Sequence, residues 1–121
     1  MQLFMTIMMI RVARIYSFES DGSYRVLVDR LWPRGVSKKS VDLWLKDIGP
    51  SDALRKWFSH DDKKWDGFKE RYFKELEGKQ EFMKTILEKE RQGPVTLLFA
   101  AKDAEHNNAV ALLEYLKRFN C

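Results

Sequence analysis

The sequence predicts one α/β domain, in which a small, mainly parallel sheet lies between two layers of helices in a three-layer α/β/α arrangement. Residues 95–101, VTLLFAA, form an apolar run without alternation, which is typical of a strand covered on both faces. Two strand-like segments come first, three helical segments follow, and the apolar run and a last helix complete the order. The length of 121 residues fits one core.

Residue types and turn signals predict the individual elements. The β-branched and aromatic segments at 7–16 and 24–28 indicate strands, whereas residues 41–48 fit either a short strand or an irregular packed segment. Ser51 is expected to cap a first helix, and Ser59 or Asp61 a second one. The last two helices are predicted over residues 80–91 and from about Asn107 to Phe119. In the second helix we expect one buried stripe, which Gly78 ends: Trp65, Phe68, Tyr72 and Leu76.

The amino terminus predicts neither a leader nor a membrane span. Residues 1–9 are expected to be an apolar extension or the start of the first strand, and residues 10–121 to be the domain. The run MQLFMTIMMI has no basic segment before it and no small-residue cleavage site after it, and it is too short to cross a bilayer. The single cysteine, Cys121, excludes a disulfide framework, so we expect a cytoplasmic protein.

The charge balance of the chain is mildly basic, and the surplus is unevenly distributed. The net charge is +4, and residues 1–60 hold the whole surplus, with 10 basic and 6 acidic residues. This surplus suits an anionic ligand but is too small to indicate nucleic-acid binding by charge alone.

Two polar segments directly follow predicted strands, at residues 29–35 and 102–108. If both strands are parallel, both segments lie at the same edge of the sheet, where α/β proteins bind ligands. Arg30 and Arg34 offer forked donors for a phosphate or carboxylate, and Trp32 beside them offers a flat apolar surface. The candidate ligand-binding residues are Asp29, Arg30, Trp32, Arg34, His60, Lys102, Asp103, His106, Asn107 and Asn108.

Each candidate also has a purely structural interpretation. At least one of Arg30 and Arg34 is expected to pair with Asp29 or Asp103, and this pairing can serve only to hold a loop. Trp32 can belong to the core, and Asn107 or Asn108 can cap a helix. The two histidines lack the spacing of a metal site, and no glycine loop for phosphates is present. We therefore expect no metal and no cofactor.

The segments VLVDRLWPRGVSK, LRKWFSHD and LLFAAKDAEHNNA resemble the YeaO-like family of small bacterial proteins, part of a larger domain-of-unknown-function group. The resemblance spans residues 10–117 and implies an α/β domain without an established reaction. Members of the broader group often have a cysteine after the late strand and a Cys-His-Arg run at the following helix start. The corresponding stretches of this chain, Phe99-Ala100-Ala101 and His106-Asn107-Asn108-Ala109, contain no cysteine. The resemblance therefore carries no thiol chemistry to this chain. The matching positions are Asp29, Arg30, Trp32, Pro33, Arg34, Gly35, Trp57, Phe58, His60, Asp61, Lys102, Asp103, His106, Asn107 and Asn108.

Two functional hypotheses follow, and the sequence leaves open whether the protein is an enzyme. The first is binding of a small anionic ligand, a phosphate- or carboxylate-bearing metabolite or a nucleotide, through arginines at the sheet edge. The alternative is a nucleic-acid-binding or regulatory module with a basic face that contains Trp32. A homodimer that covers part of the aromatic surface is a third expectation. A concave pocket would favour the first hypothesis, and a long convex basic face the second.

Overall fold

The computed structural model describes residues 9–119, and these form a parallel sheet with four α-helices. In the sheet the strands follow the order β1-β4-β2-β3, and every paired neighbour is parallel. The α/β class and the parallel sheet predicted from the sequence are confirmed. The strands are β1 (Ile10–Arg14), β2 (Tyr24–Leu27), β3 (Leu43–Trp44) and β4 (Val95–Phe99), and the helices are α1 (Asp52–Phe58), α2 (Trp65–Glu77), α3 (Gln80–Gln92) and α4 (Asn108–Phe119).

Strand β4 occupies the interior of the sheet, as its apolar sequence predicts. It pairs with β1 on one side and with β2 on the other, and all five of its residues are buried. Leu97 and Leu98 point to opposite faces, and each lies in a different apolar cluster. The absence of alternation in the sequence therefore reflects burial on both faces.

The layer on the second face of the sheet is built differently from the expected helical one. Buried residues of all four α-helices share one core with Val26 and Leu97. The opposite face carries Ile15, Leu27 and Leu98, and partly buried residues of the connecting loops, such as Trp32, pack against it. The connections after β1 and β2 contain only 3₁₀ turns, at Ile15–Ser17 and Lys38–Ser40, because turn residues interrupt them.

The predicted helix caps agree with the structure at Ser51 and Asn107 but not at the second helix. Ser59 ends α1, and Asp61 caps a 3₁₀ turn at Asp62–Lys64, so α2 begins only at Trp65. Ser51 Oγ accepts the amide of Leu54 at 3.1 Å, and Asn107 Oδ1 accepts the amide of Val110 at 3.0 Å. Gly78 ends α2, as expected. The predicted stripe on α2 is largely buried: Phe68, Tyr72 and Leu76 are in the core, and Trp65 is half-buried with its ring stacked on Phe68.

The segment at 41–48 combines both of its predicted alternatives. Residues Leu43–Trp44 form the short strand β3, and Lys46–Ile48 form a 3₁₀ turn. Most of the predicted extension at 1–9 lies outside the described residues. Within residues 9–119 no helix is both long enough and apolar enough to cross a membrane.

Candidate ligand-binding site

A cavity of about 520 Å³ opens at the carboxyl ends of β2 and β4. The two strands are neighbours, but the chain leaves β2 toward the loop-covered face and leaves β4 toward α4 on the helical face. Such a switch point creates a crevice at the sheet edge, and this is where open α/β sheets bind ligands.

The cavity brings together most of the residues that the sequence singled out. Lys102 and Asp103 are not among the residues of its wall. The segments after β2 and β4 therefore meet at one edge of the sheet. The predicted residues that line the cavity are Asp29, Arg30, Trp32, Arg34, His60, His106, Asn107 and Asn108.

Arg30 is anchored by backbone carbonyls. Its Nε donates to the carbonyl of Pro50 at 3.1 Å, and its Nη2 donates to the carbonyl of Gly49 at 3.0 Å. A side chain at Gly49 would place its Cβ 2.7 Å from the Arg30 backbone nitrogen, so only glycine permits this approach. The prediction that Arg30 or Arg34 pairs with Asp29 or Asp103 is wrong, since no such ion pair exists within residues 9–119.

Helix α2 holds the loop that supplies these carbonyls. The hydroxyl of Tyr72 donates to the carbonyl of Ile48 at 2.7 Å, and burial raises the pKa of Tyr72, so this hydroxyl stays a donor. Glu75 accepts the amide of Ser51 at 2.9 Å and its hydroxyl at 2.6 Å. The position of Arg30 therefore depends on packing between α2 and the loop before α1.

Among the described residues that form the cavity wall, Asp29 is the only carboxylate. Its Oδ2 accepts the amide of Ala100 at 2.9 Å, and its backbone carbonyl accepts Nε1 of Trp44 at 2.8 Å. Burial raises the pKa of Asp29, and hydrogen bonds from the side chain of Asn108 and the amide of Ala100 oppose this effect. Asn108 also donates to the carbonyl of Val28, so it ties β2 to the start of α4.

Basic side chains surround the outer part of the cavity. Arg34, Arg55 and Lys56 are exposed and belong to its wall. Arg55 makes an exposed pair with Asp52 at 2.8 Å, whereas neither Arg34 nor Lys56 has an acidic partner within the described residues. The sequence reasoning missed Arg55 and Lys56, although both lie in the segment LRKWFSHD that it singled out.

The turn after α1 has an unusual backbone. Ser59 and His60 have φ values of 46° and 58°, and these are the two non-glycine residues with positive φ within residues 9–119. Each costs about 1 kcal/mol or more, and such strain occurs often at binding sites. This turn places His60 in the cavity wall.

His106 lies between two carboxylates. Its Nδ1 is 3.1 Å from Asp103 Oδ2 and 3.1 Å from Asp62 Oδ1. Partial burial acts to lower the pKa of His106, but the hydrogen bond to Asp103 and the charges of Asp62, Asp103 and Glu105 outweigh it and raise this pKa. Asp62, Asp103 and His106 have the atom types and spacing that can hold a cation. Asp103 also accepts the amides of Glu105 and His106, so it shapes the loop before α4.

Trp32 and Asn107 are structural as well as part of the wall. The Trp32 ring packs edge-on against Trp44 with centroids 5.3 Å apart, and its Nε1 donates to the carbonyl of Val36. Asn107 is only 3% exposed and caps α4. The structural interpretations of these two residues are therefore confirmed, while their surfaces still border the cavity.

Comparison with protein families places this chain in a known group. Residues 9–119 match the family model described as the inactive DUF488-N3 subclade. The chain belongs to this DUF488-N3 subclade. Its match to the uncharacterised YeaO protein of Escherichia coli is 40% identical over 114 residues, which cover 91% of this chain and 98% of the relative. The resemblance to the YeaO-like family is thereby confirmed.

The chain is also similar to mycobacterial proteins over part of its length. Uncharacterised proteins of Mycobacterium tuberculosis and Mycobacterium bovis are 46% identical over 70 residues, which cover 55% of this chain and 59% of those relatives. No solved structure matches the chain.

Proposed function

We propose that this DUF488-N3 protein binds a small anionic ligand, a phosphate- or carboxylate-bearing metabolite or a nucleotide, in the cavity between β2 and β4. The observation that carries the proposal is the charge of the wall, where four cationic side chains face one carboxylate, that of Asp29. Guanidinium and ammonium groups bind phosphates and carboxylates through charge-assisted hydrogen bonds. The four cations are Arg30, Arg34, Arg55 and Lys56.

The shape and the family description agree with binding of a small molecule. A cavity of about 520 Å³ falls in the range of ligand sites, and concave basic surfaces concentrate anions. The description of the subclade as inactive supports binding without turnover. We also propose the cytoplasm as its compartment, which fits a chain with one cysteine, Cys121.

Calorimetry with pyrophosphate tests the proposal. Arg34→Ala removes an exposed donor that holds no other part of the fold, so its stability should stay within about 0.5 kcal/mol of the parent. The lost charge-assisted hydrogen bond is worth about 1.5 kcal/mol or more, so the dissociation constant should rise at least about tenfold.

Lys39→Ala is the matched control, since Lys39 is an exposed cation outside the cavity wall and its removal changes the net charge equally. Equal losses in Arg34→Ala and Lys39→Ala would point to diffuse attraction and sink the proposed site. Tighter binding of a short oligonucleotide, weakened by both variants, would favour the nucleic-acid alternative. The homodimer stays a prediction that sedimentation can test.

A further inference from the structure

Asp29 is a carboxylate in a basic cavity, and it pairs with no cation within residues 9–119. Arg30 is the next residue in the chain, yet its guanidinium binds two backbone carbonyls instead. Arg55 acts on Asp29 only through longer-range attraction. Within residues 9–119 no salt bridge reaches Asp29, although four cationic side chains share its cavity.

The carboxylate of Asp29 keeps acceptor capacity for a ligand. An ionised carboxylate offers about four acceptor positions. The amide of Ala100 occupies one of them at 2.9 Å. Hydrogen bonds from Trp44 and along β2 fix the main chain at Asp29, so its carboxylate is held in place rather than free to turn toward a cation.

The rest of the cavity wall is largely apolar, and the cavity is too large for a bare anion. Leu31, Trp32, Pro50, Phe58 and Phe68 all line the cavity. A single phosphate at the exposed cations would leave most of the 520 Å³ volume unfilled. The site therefore has three parts: outer cations, an apolar wall, and the half-buried carboxylate of Asp29.

We propose that the cavity takes a phosphorylated sugar, whose phosphate binds the outer cations while Asp29 accepts a hydrogen bond from a sugar hydroxyl. This inference rests on the proposed anion-binding function and adds the substrate class. A free sugar phosphate and a nucleotide share this chemistry, so they are separate arms of the test.

Asp29→Asn distinguishes hydroxyl recognition from simple repulsion. Asparagine keeps an oxygen for the Ala100 amide, so the fold should persist, and a melting curve checks this. The variant removes a negative charge from a basic cavity, so inorganic phosphate should bind as well as before or more tightly. Ribose 5-phosphate should instead bind about tenfold more weakly, because a hydrogen bond to a charged group is lost.

Pentyl phosphate is the matched control ligand, since it keeps five carbons and the phosphate but has no hydroxyl groups. Its affinity should follow that of inorganic phosphate and not weaken in Asp29→Asn. In the parent protein, 2-deoxyribose 5-phosphate and acyclic analogues of ribose 5-phosphate give a second measure of hydroxyl recognition. This measure does not depend on the folding of a variant. Adenosine monophosphate tests the nucleotide alternative. Whichever of adenosine monophosphate and ribose 5-phosphate binds more tightly shows whether the ligand is a nucleotide or a free sugar phosphate.

The outcomes separate this inference from the function on which it rests. In one outcome, inorganic phosphate binds and Arg34→Ala weakens that binding, but Asp29→Asn changes the affinities for inorganic phosphate, pentyl phosphate and ribose 5-phosphate in the same direction. The sugar proposal is then overturned and the anion site stands. If neither phosphate nor ribose 5-phosphate binds, both are overturned.

Discussion

The two ends of the same sheet carry charged residues in opposite arrangements. At the amino end, Arg11 forms a salt bridge with Asp21, and its Nε donates to Thr96 at 3.2 Å. Ser23 links these groups, because its hydroxyl lies 2.7 Å from both Asp21 Oδ1 and Thr96 Oγ1. At the carboxyl end, the cation of Arg34 has no acidic partner within the described residues, and it borders a cavity.

This difference indicates which polar groups stabilise the fold and which are available to a ligand. The paired groups at the amino end satisfy one another, so their removal should cost stability and leave binding intact. Unpaired cations around a cavity repel one another in the free protein, and an anion would relieve that repulsion. Binding sites often reduce stability for this reason.

The largest expected effect comes from Gly49, because it affects both the stability of the fold and the position of Arg30 at the carboxyl end of the sheet. In Gly49→Ala the new Cβ would lie 2.7 Å from the Arg30 backbone nitrogen, so the loop and Arg30 must separate. We expect a loss of about 1–3 kcal/mol in the free energy of unfolding, measured in urea, together with weaker pyrophosphate binding.

Gly78→Ala provides the control for this change. A Cβ at Gly78 has Glu75 O at 3.8 Å as its nearest neighbour, and the backbone φ of −86° suits alanine. Its stability should equal or slightly exceed that of the parent. A Gly49→Ala protein as stable as Gly78→Ala would mean that the close approach at Arg30 does not constrain the site.

Thr96→Val should have a smaller effect, confined to stability. The Thr96 hydroxyl is fully buried and contacts Ser23 and Arg11, so its removal should cost about 1 kcal/mol. Thr85→Val makes the same replacement at an exposed position of α3 and should change stability by less than about 0.5 kcal/mol. Weaker pyrophosphate binding in Thr96→Val would break the division between the two ends of the sheet.

The smallest effect concerns the ion pair between Arg25 and Asp42 at the start of β2. The hydrogen bond from Arg25 lowers the pKa of Asp42 below its usual range. A lowered folded-state pKa stabilises the fold above the unfolded value of about 4, and this stabilisation disappears as the pH falls through the folded value. The difference in unfolding free energy between the parent and Asp42→Asn should be under about 1 kcal/mol at pH 7 and shrink in acid.

A difference that stays constant between pH 7 and pH 2 would show that Asp42 acts through its shape or backbone contacts rather than its charge.

Local signals in the sequence were sufficient for the order of the elements and the parallel sheet, but not for the loop-covered second face or for the contacts of the site. The apolar run of β4 and the caps at Ser51 and Asn107 depend on neighbouring residues, so they could be predicted. The partners of Arg30 could not, because Tyr72 and the α2 packing determine where the Gly49 carbonyl lies.

The basic residues of α1 were missed for a similar reason. The direction in which Arg55 and Lys56 extend depends on how α1 packs against α2. That packing requires the Trp57 ring to fit over Gly67, where a Cβ would come within 2.9 Å of it. Such a contact joins distant residues and leaves no periodic signal in either helix.

Backbone amide NMR during a pyrophosphate titration tests the central comparison most directly. A specific anion site predicts the largest shift changes in residues 29–35, 55–60 and 100–108, with residues 11, 21–23, 42 and 96 unaffected. Saturation of these changes would give the same dissociation constant as calorimetry. Shift changes that centre on the amino end of the sheet, or that spread over all exposed lysines without saturation, would contradict the account.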